Sequence, residues 1–399
     1  MDKFITILYA LPVYQSIVLA VLTFFSGRWE KGCSRKLMAT FLLLTSTYFA
    51  FNLFYNLHRF DILAWGYIFI LPVILAFTPV LYLYIVSVTT PDFRFRLNSL
   101  THFLPSLLIF IFNSPYLLLP ENDRQSYISM NFFHKENSPV MNYLLFVYGF
   151  GLFIMFNIQL IFYIFRIRKL YNNHREYISN HFSYTENINL HWIRALIIFF
   201  VTFLVVNELL YIFGLSLHPA PRIFYNVAML WITLFAGYHG LLQKDLGKEP
   251  GIPGGEIDND TSSKPEEYNP KIKYSRSSLS AEQKQSLIIE MEKLIMAEKI
   301  FTNSQLTVDD VARMLGTNAK YISQVLNAHY HKNFYTFINA YRVEEARRLL
   351  LADVNRRYSI LGISQMAGFS SKSSFNDAFK TMSGTTPSEF RKQKVTGVS

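Results

Sequence analysis

The first 243 residues contain seven predominantly apolar stretches of spanning length, roughly 4 to 25, 37 to 57, 63 to 88, 100 to 119, 140 to 165, 193 to 214 and 223 to 243. Inside hydrocarbon no water satisfies a backbone N–H or C=O, so a lipid-embedded chain is restricted to helices or closed barrels. Runs of this length specify helices. The first run is too long for a signal peptide, has little positive charge before it and lacks a small-residue cleavage site. It is expected to remain as a helix.

Composition averages two unlike halves. Hydrophobic residues make up 51% of the 399 positions and charged residues 17%, and nearly all of that charge lies outside the apolar runs. The formal net charge of +10 suits an anionic partner, either a phosphate backbone or the inner face of a membrane. A single cysteine, Cys33, excludes a disulfide within the chain and a zinc site built from several cysteines. No cofactor and no structural metal are expected.

Orientation follows from the lysines and arginines of the short loops. Arg28, Lys31, Arg35, Lys36, Arg94, Arg96, Arg166, Arg168, Lys169 and Arg175 fall on one set of alternate loops, and Lys3, Arg59, Arg124, Lys135 and Arg222 on the other. Ten against five places the amino terminus outside and everything after residue 243 in the cytoplasm.

Within the spans, Glu208 in the outward half of the sixth run and His239 near the cytoplasmic end of the seventh are the ionisable candidates for a sensor site. A carboxyl in lipid is costly and marks a functional site unless a neighbour neutralises it. Asn52, Asn56, Asn157, Gln159, Asn207 and Asn226 read as hydrogen-bonding glue between helices. Pro72 and Pro79 are expected to kink the third helix. The seventh run holds no lysine, which rules out a retinal Schiff base there.

Residues 244 to 280 include Pro250-Gly-Ile-Pro-Gly-Gly255 and a polar, acidic continuation without periodicity. This composition reads as a flexible linker. About 30 such residues span roughly 30 Å on average, enough to hold a domain clear of the headgroups. A rigid helical connection through this stretch is not expected; control by proximity or dimerisation is.

From 281 to 399 the chain carries 16 Lys and Arg against 11 Asp and Glu, a net of +5. Helices are expected at about 281 to 299, 308 to 315, 319 to 330, 334 to 353, 360 to 367, 372 to 382 and 387 to 393. Ser280 with Gln283, Thr307 with Asp310, and Thr386-Pro387-Ser388-Glu389 mark helix starts. Within this portion one pattern occurs twice. Leu306-Thr-Val-Asp-Asp-Val-Ala-Arg-Met-Leu-Gly-Thr-Asn-Ala-Lys-Tyr-Ile-Ser-Gln-Val-Leu326 is echoed from Tyr358-Ser-Ile-Leu-Gly-Ile-Ser-Gln-Met-Ala-Gly-Phe369 to Phe379. Val308, Val311, Met314 and Gly316 recur 52 positions later as Ile360, Ile363, Met366 and Gly368; Ile322 and Leu326 recur 53 positions later as Phe375 and Phe379.

In each copy a glycine closes a short helix where a left-handed residue is needed and sets the next helix at an angle suited to a DNA major groove. Ile322, Val325 and Leu326, and in the second copy Phe375, Ala378 and Phe379, hold those second helices to a core. Their other faces are polar: Lys320, Tyr321, Ser323, Gln324 and Asn327, preceded by Asn318, then Lys372, Ser373, Ser374, Asn376, Asp377 and Lys380. One such face is ordinary solvated surface; two in a duplicated frame, each behind a glycine turn, read as DNA-contacting helices. Gln and Asn can read adenine, Ser several bases or phosphate, and Asp377 a cytosine amino group. Lys320, Lys332, Lys372 and Lys380 suit phosphate.

Phe334-Tyr-Thr-Phe-Ile-Asn-Ala-Tyr-Arg-Val-Glu-Glu-Ala-Arg-Arg-Leu-Leu350 and Ala367-Gly-Phe-Ser-Ser-Lys-Ser-Ser-Phe-Asn-Asp-Ala-Phe-Lys-Thr-Met-Ser-Gly-Thr-Thr-Pro-Ser-Glu-Phe-Arg391 complete the portion. Residues 281 to 394 resemble the carboxy-terminal DNA-binding domain of the AraC/XylS family of bacterial transcription regulators. The resemblance implies recognition helices at 319 to 327 and 372 to 380, Arg342 and Arg347 on the connecting helix with Arg342 in the DNA-binding set, and one domain spanning two successive major grooves. His331 stands where the first repeat often has glycine and Ser364 where the second often has alanine, local changes that bear on stability or a backbone angle. The apolar half resembles the membrane-bound branch of that family.

The expected architecture is all-α: a seven-helix transmembrane sensor domain over 1–243, a linker over 244–280, and over 281–399 a soluble seven-helix domain with two helix-turn-helix motifs. The expected function is a non-enzymatic, one-component transcription regulator, multi-pass in the bacterial cytoplasmic membrane and controlled by a signal sensed in the bundle. Its expected partners are double-stranded DNA, the lipid bilayer, a second copy of the chain in a homodimer, a signal ligand or membrane partner, and the transcription machinery. The alternative is a transporter or intramembrane enzyme fused to an autoregulatory DNA-binding domain. Against it, the spans lack paired carboxylates, a Ser/His/Asp set and a clear inverted repeat.

Overall fold

The computed structural model describes residues 3–26, 33–90, 93–129, 138–186, 188–212, 219–243, 279–352 and 357–396. Among them every regular element is helical, and the one β-type pairing is an isolated bridge between Phe182 and Thr307. By packing, the chain divides into two compact units: Met1–Tyr171 with Leu190–Lys248, and Asn172–Asn189 with Glu249–Ser399.

The first unit contains α1 (Lys3–Phe25), α2 (Cys33–Asn56), α3 (Phe60–Thr89), α4 (Leu104–Asn113), α5 (Glu121–Ile128), α6 (Pro139–Phe146), the start of α7 (Phe153–His181), α8 (His191–Ile212) and α9 (Pro219–Leu242). Among the described residues, five stretches are long and apolar enough to cross a membrane: Thr6–Phe25, Cys33–Asn56, Phe60–Thr89, Leu97–Leu118 and Pro139–His181. Asn226–Leu242 is apolar but shorter. The sixth expected run folds as α8, where the side chains of Asn207 and Glu208 lie outside the described residues.

Helix α3 runs through both Pro72 and Pro79, and at Pro79 a neighbouring helix supplies what proline removes. Pro79 cannot donate to the Leu75 carbonyl one turn back, and the side chain of Gln159 on α7 donates to that oxygen at 2.9 Å. Gln159 is thus the interhelical bond its sequence position suggested. Asn52, Asn56 and Asn157 depart from that expectation. Each donates to a carbonyl four residues back on its own helix, at 2.9, 2.7 and 2.8 Å, because a short amide reaches its own backbone before it reaches a neighbouring helix.

The second unit holds α10 (Ala281–Glu298), α11 (Val308–Met314), α12 (Ala319–Val325), α13 (Phe334–Ala352), α14 (Ile360–Met366), α15 (Lys372–Ser383) and α16 (Pro387–Thr396). One π-type turn, Leu326–Tyr330, prolongs α12. The helix starts are where the capping residues put them. Ser280 and Gln283 exchange bonds at 2.9 and 3.1 Å, Thr307 and Asp310 at 2.9 and 3.2 Å, and Thr386 and Glu389 at 2.8 and 3.3 Å.

Two cores meet on α13. Its first half places Phe334, Phe337 and Ile338 against Val308, Val311, Ile322 and Leu326. Its second half places Val343, Ala346 and Leu350 against Ile363, Phe375, Phe379 and Phe390. Burying side chains of this size contributes about 1.5 to 3 kcal/mol each, so α12 and α15 are fixed by their apolar faces whatever their polar faces do.

Gly316 and Gly368 both adopt positive φ, +59° and +94°, as their positions in the repeat require. They differ in what surrounds them. A Cβ on Gly316 would meet open space, whereas one on Gly368 would lie 2.4 Å from the carbonyl oxygen of Phe301 and 2.6 Å from the Cα of Thr302. His331 carries φ +52° after the π-type turn, a conformation that glycine adopts without cost and an L side chain does not. Ser364, the other departure from the family pattern, is fully buried and donates to the Leu361 carbonyl at 2.8 Å.

Candidate nucleic-acid interface

Each second helix of the repeat, α12 and α15, starts from a side-chain cap and exposes the face opposite its core. The Asn318 side chain accepts from the Tyr321 N–H at 3.0 Å, opening α12. Along this element Lys320, Asn327 and Lys332 are exposed, while Tyr321, Ser323 and Gln324 are half-buried at its edges. Helix α15 opens from Ser371, whose hydroxyl accepts from the Ser374 N–H at 3.1 Å. Lys372, Ser373, Asp377 and Lys380 are exposed there, and Ser374 and Asn376 half-buried. Both helices therefore combine a buried apolar strip with a polar outer surface. Their exposed lysines give that surface its positive charge.

Arg342 stands apart from the other DNA-contact candidates. It is 1% exposed, inside the domain rather than on its surface. Its Nε donates to the Phe301 carbonyl at 2.7 Å, one terminal nitrogen to the Ser183 carbonyl at 2.7 Å and to Asn339 Oδ1 at 3.1 Å, and the other to Ser183 Oγ at 2.8 Å and the Asn303 carbonyl at 2.7 Å. All five donors of the guanidinium are engaged. Its planar fork suits a buried junction of several carbonyls, which explains why an arginine rather than a lysine stands here. Burial pulls the guanidinium down to about 10, with the Glu186 and Tyr335 side chains opposing the shift, so it remains charged at neutral pH. Arg342 as placed offers no N–H to a DNA phosphate.

The acceptors at Ser183 belong to a segment 159 residues away, the polar break between α7 and α8. Phe182, Ser183, Tyr184 and Ile188 are buried, and His174 closes the break by bonding to the Ile188 carbonyl at 2.8 Å. Ser183 contacts the first helix-turn-helix unit: its N–H and hydroxyl both donate to the Leu306 carbonyl, at 3.1 and 2.7 Å. Three residues on, Glu186 meets the second unit. Its carboxylate accepts from Ser370 at 2.6 Å, from Ser371 at 2.8 Å and from Ser374. Burial alone would raise this carboxyl, but the three serine hydroxyls outweigh it and hold it below the usual glutamate range.

The sequence pattern did not single out Ser183, Glu186, Ser370 or Ser371. Glu186 reads only as one charge in a polar loop, and its partners lie 184 to 188 residues away. For the sensor candidates, the Glu208 side chain lies outside the described residues. His239 stacks on Trp192 with ring centroids 5.5 Å apart and planes 9° from parallel, and lies 4.5 Å from the Phe235 ring. Trp192 is itself held by a 2.8 Å bond to the Gln243 side chain. That stack packs His239 at the end of α9.

Residues 311–393 match the family model described as "Helix-turn-helix domain". The chain is 32% identical over 90 residues to the Msm operon regulatory protein of Streptococcus mutans serotype c, a stretch that covers 23% of this chain and 31% of that protein. This chain thus spans about a third of the length of the curated relative it matches. A solved structure of a protein of unknown function from Listeria innocua is 24% identical and covers 26% of this chain and 94% of that one, with a TM-score of 0.24. The carboxy-terminal domain of this chain is a helix-turn-helix domain of the AraC type.

Proposed function

We propose that the chain is a membrane-anchored transcription regulator that binds specific DNA through α12 and α15. The observation that carries this reading is the duplicated unit: two glycine turns with positive φ, each followed by a capped helix with an apolar strip inside and a polar face outside. Membrane anchoring draws on the five spanning-length helices and on the outer surface of their unit. Trp65, Phe165 and Trp231 are each at least 67% exposed there, an arrangement suited to lipid and costly in water. The excess of basic residues on alternate loops supports a cytoplasmic location for the DNA-binding domain. Within this reading the bundle receives a signal and two copies of the chain act together on DNA.

Gln324 and Asn376 are assigned to base reading and Lys332 to phosphate. For the full chain in uncharged lipid nanodiscs, Gln324→Ala or Asn376→Ala should relax sequence preference at one or two base pairs, at about 1 to 3 kcal/mol each. Lys332→Ala should instead weaken all duplexes alike and flatten the salt dependence. Sites selected from a random pool and titrated at several salt concentrations decide the matter. Equal losses on selected and random duplexes for all three variants would overturn the helix-face assignment.

A further inference from the structure

We propose that the segment 182–186, between α7 and α8, is an autoinhibitory clamp that occupies the DNA-binding domain and must be released for DNA to bind. The inference rests on the DNA-binding reading above and adds its regulation. Three contacts define the clamp. The Phe182 bridge to Thr307 and the Ser183 bonds to Leu306 hold it at the start of the first helix-turn-helix unit. Arg342, on the helix that joins the two units, locks Ser183 from within. Glu186 closes on Ser370, Ser371 and Ser374 at the start of the second reading helix.

The chemistry of the third contact sets it against DNA. The amino-terminal turn of a recognition helix is where hydroxyls and backbone N–H groups receive a phosphate. In this structure the hydroxyls at that turn, those of Ser371 and Ser374, are already committed to a carboxylate from the same chain, and Ser370, which precedes the helix, adds a third bond to the carboxylate alone. While Glu186 stays, it both uses the donors and presents a negative charge where a phosphate would approach. Ser374, one of the residues assigned to DNA, cannot serve both partners at once. A phosphate that displaces Glu186 leaves a half-buried carboxylate to be resolvated, and the segment loses its hold on the second unit.

The clamp also has a natural source of control. It is joined by peptide bonds to α7 and α8, both apolar helices, so a change in either reaches the reading helices without passing through residues 244–280. The short loop that contains it belongs to the set with the excess of basic residues, the side on which DNA is found.

The test uses the full chain in phosphatidylcholine nanodiscs, which carry no anionic lipid to compete, and a fluorescent duplex of random sequence long enough for two helical turns. Glu186→Gln and, separately, Ser370→Ala should each tighten binding, Glu186→Gln by about tenfold, since one to two charge-assisted bonds no longer compete with DNA. Glu186 also lies near the buried Arg342 charge, so hydrogen exchange on the unmodified chain supplies a second readout. Saturating duplex should raise exchange across 182–186 while lowering it in α12 and α15. Unchanged affinity in both variants, or a segment that stays protected with DNA bound, would overturn the clamp and leave a structural brace. Failure of every form to bind DNA would instead overturn the reading on which the clamp rests.

Discussion

Gly368→Ala is expected to unfold the second helix-turn-helix unit while leaving the first largely intact. A left-handed conformation costs an L residue about 1 to 2 kcal/mol, and here the added methyl would also meet the backbone of Phe301 and Thr302 at 2.4 and 2.6 Å. Backbone cannot turn aside as a flexible side chain can, so the total should exceed about 3 kcal/mol. Gly316→Ala supplies the control: the same left-handed strain applies, but nothing lies within 4 Å of the new methyl, and a loss of about 1 to 2 kcal/mol is expected. Hydrogen exchange resolved by segment measures both. Protection should collapse in α14 and α15 for Gly368→Ala and only weaken in α11 and α12 for Gly316→Ala. Equal effects would mean that the close approach at Gly368 is relieved by movement of the 300–302 turn.

Arg342→Met should be nearly as damaging, for a different reason. The substitution keeps much of the volume but removes five hydrogen bonds, and it leaves the carbonyls of Phe301, Asn303 and Ser183 buried without their donor. Each such orphaned acceptor costs about 1 to 3 kcal/mol. Arg342→Lys should recover little, because one ammonium cannot reach acceptors arrayed around a planar fork. The expected signature is a rise in hydrogen exchange across 182–186 together with the 300–303 turn. A variant that keeps that protection but loses DNA affinity would return Arg342 to the DNA surface, where the family resemblance put it.

These two positions show how unevenly the fold could be read from the chain. Gly368 was legible because its constraint is local: a glycine after a helix with a matching partner 52 positions earlier signals a left-handed turn. Helix starts were legible for the same reason, since Ser280, Thr307 and Thr386 each cap a helix through a residue three positions on. The burial of Phe375 and Phe379 followed from helical spacing alone.

Arg342 and Glu186 were not legible, because what fixes them lies far along the chain and carries no periodic signal. An arginine on a helix with polar neighbours looks solvated until Ser183 is brought to it. The polar break between α7 and α8 looked like a short basic loop, and the stretch after residue 243 looked like a flexible tether that leaves control to proximity or dimerisation. The structure instead groups Asn172–Asn189 with the carboxy-terminal domain. Coupling by proximity alone therefore gives way, in the present proposal, to release of a docked segment, with dimerisation still open to both routes. Asn52, Asn56 and Asn157 failed for the opposite reason: a partner on their own helix was closer than the neighbouring helix expected to bind them.

A reporter that works only in the cytoplasm tests the central claim most directly, because it requires neither the operator nor the signal to be known. Fused after Gln243 of the chain in bacterial cells, it should be active; inserted near Asp123, in the loop region assigned to the outer face, it should be silent. The reverse pattern would place the helix-turn-helix domain on the side of the membrane where there is no chromosome to read, and would contradict the account from the orientation of the bundle to the role of α12 and α15.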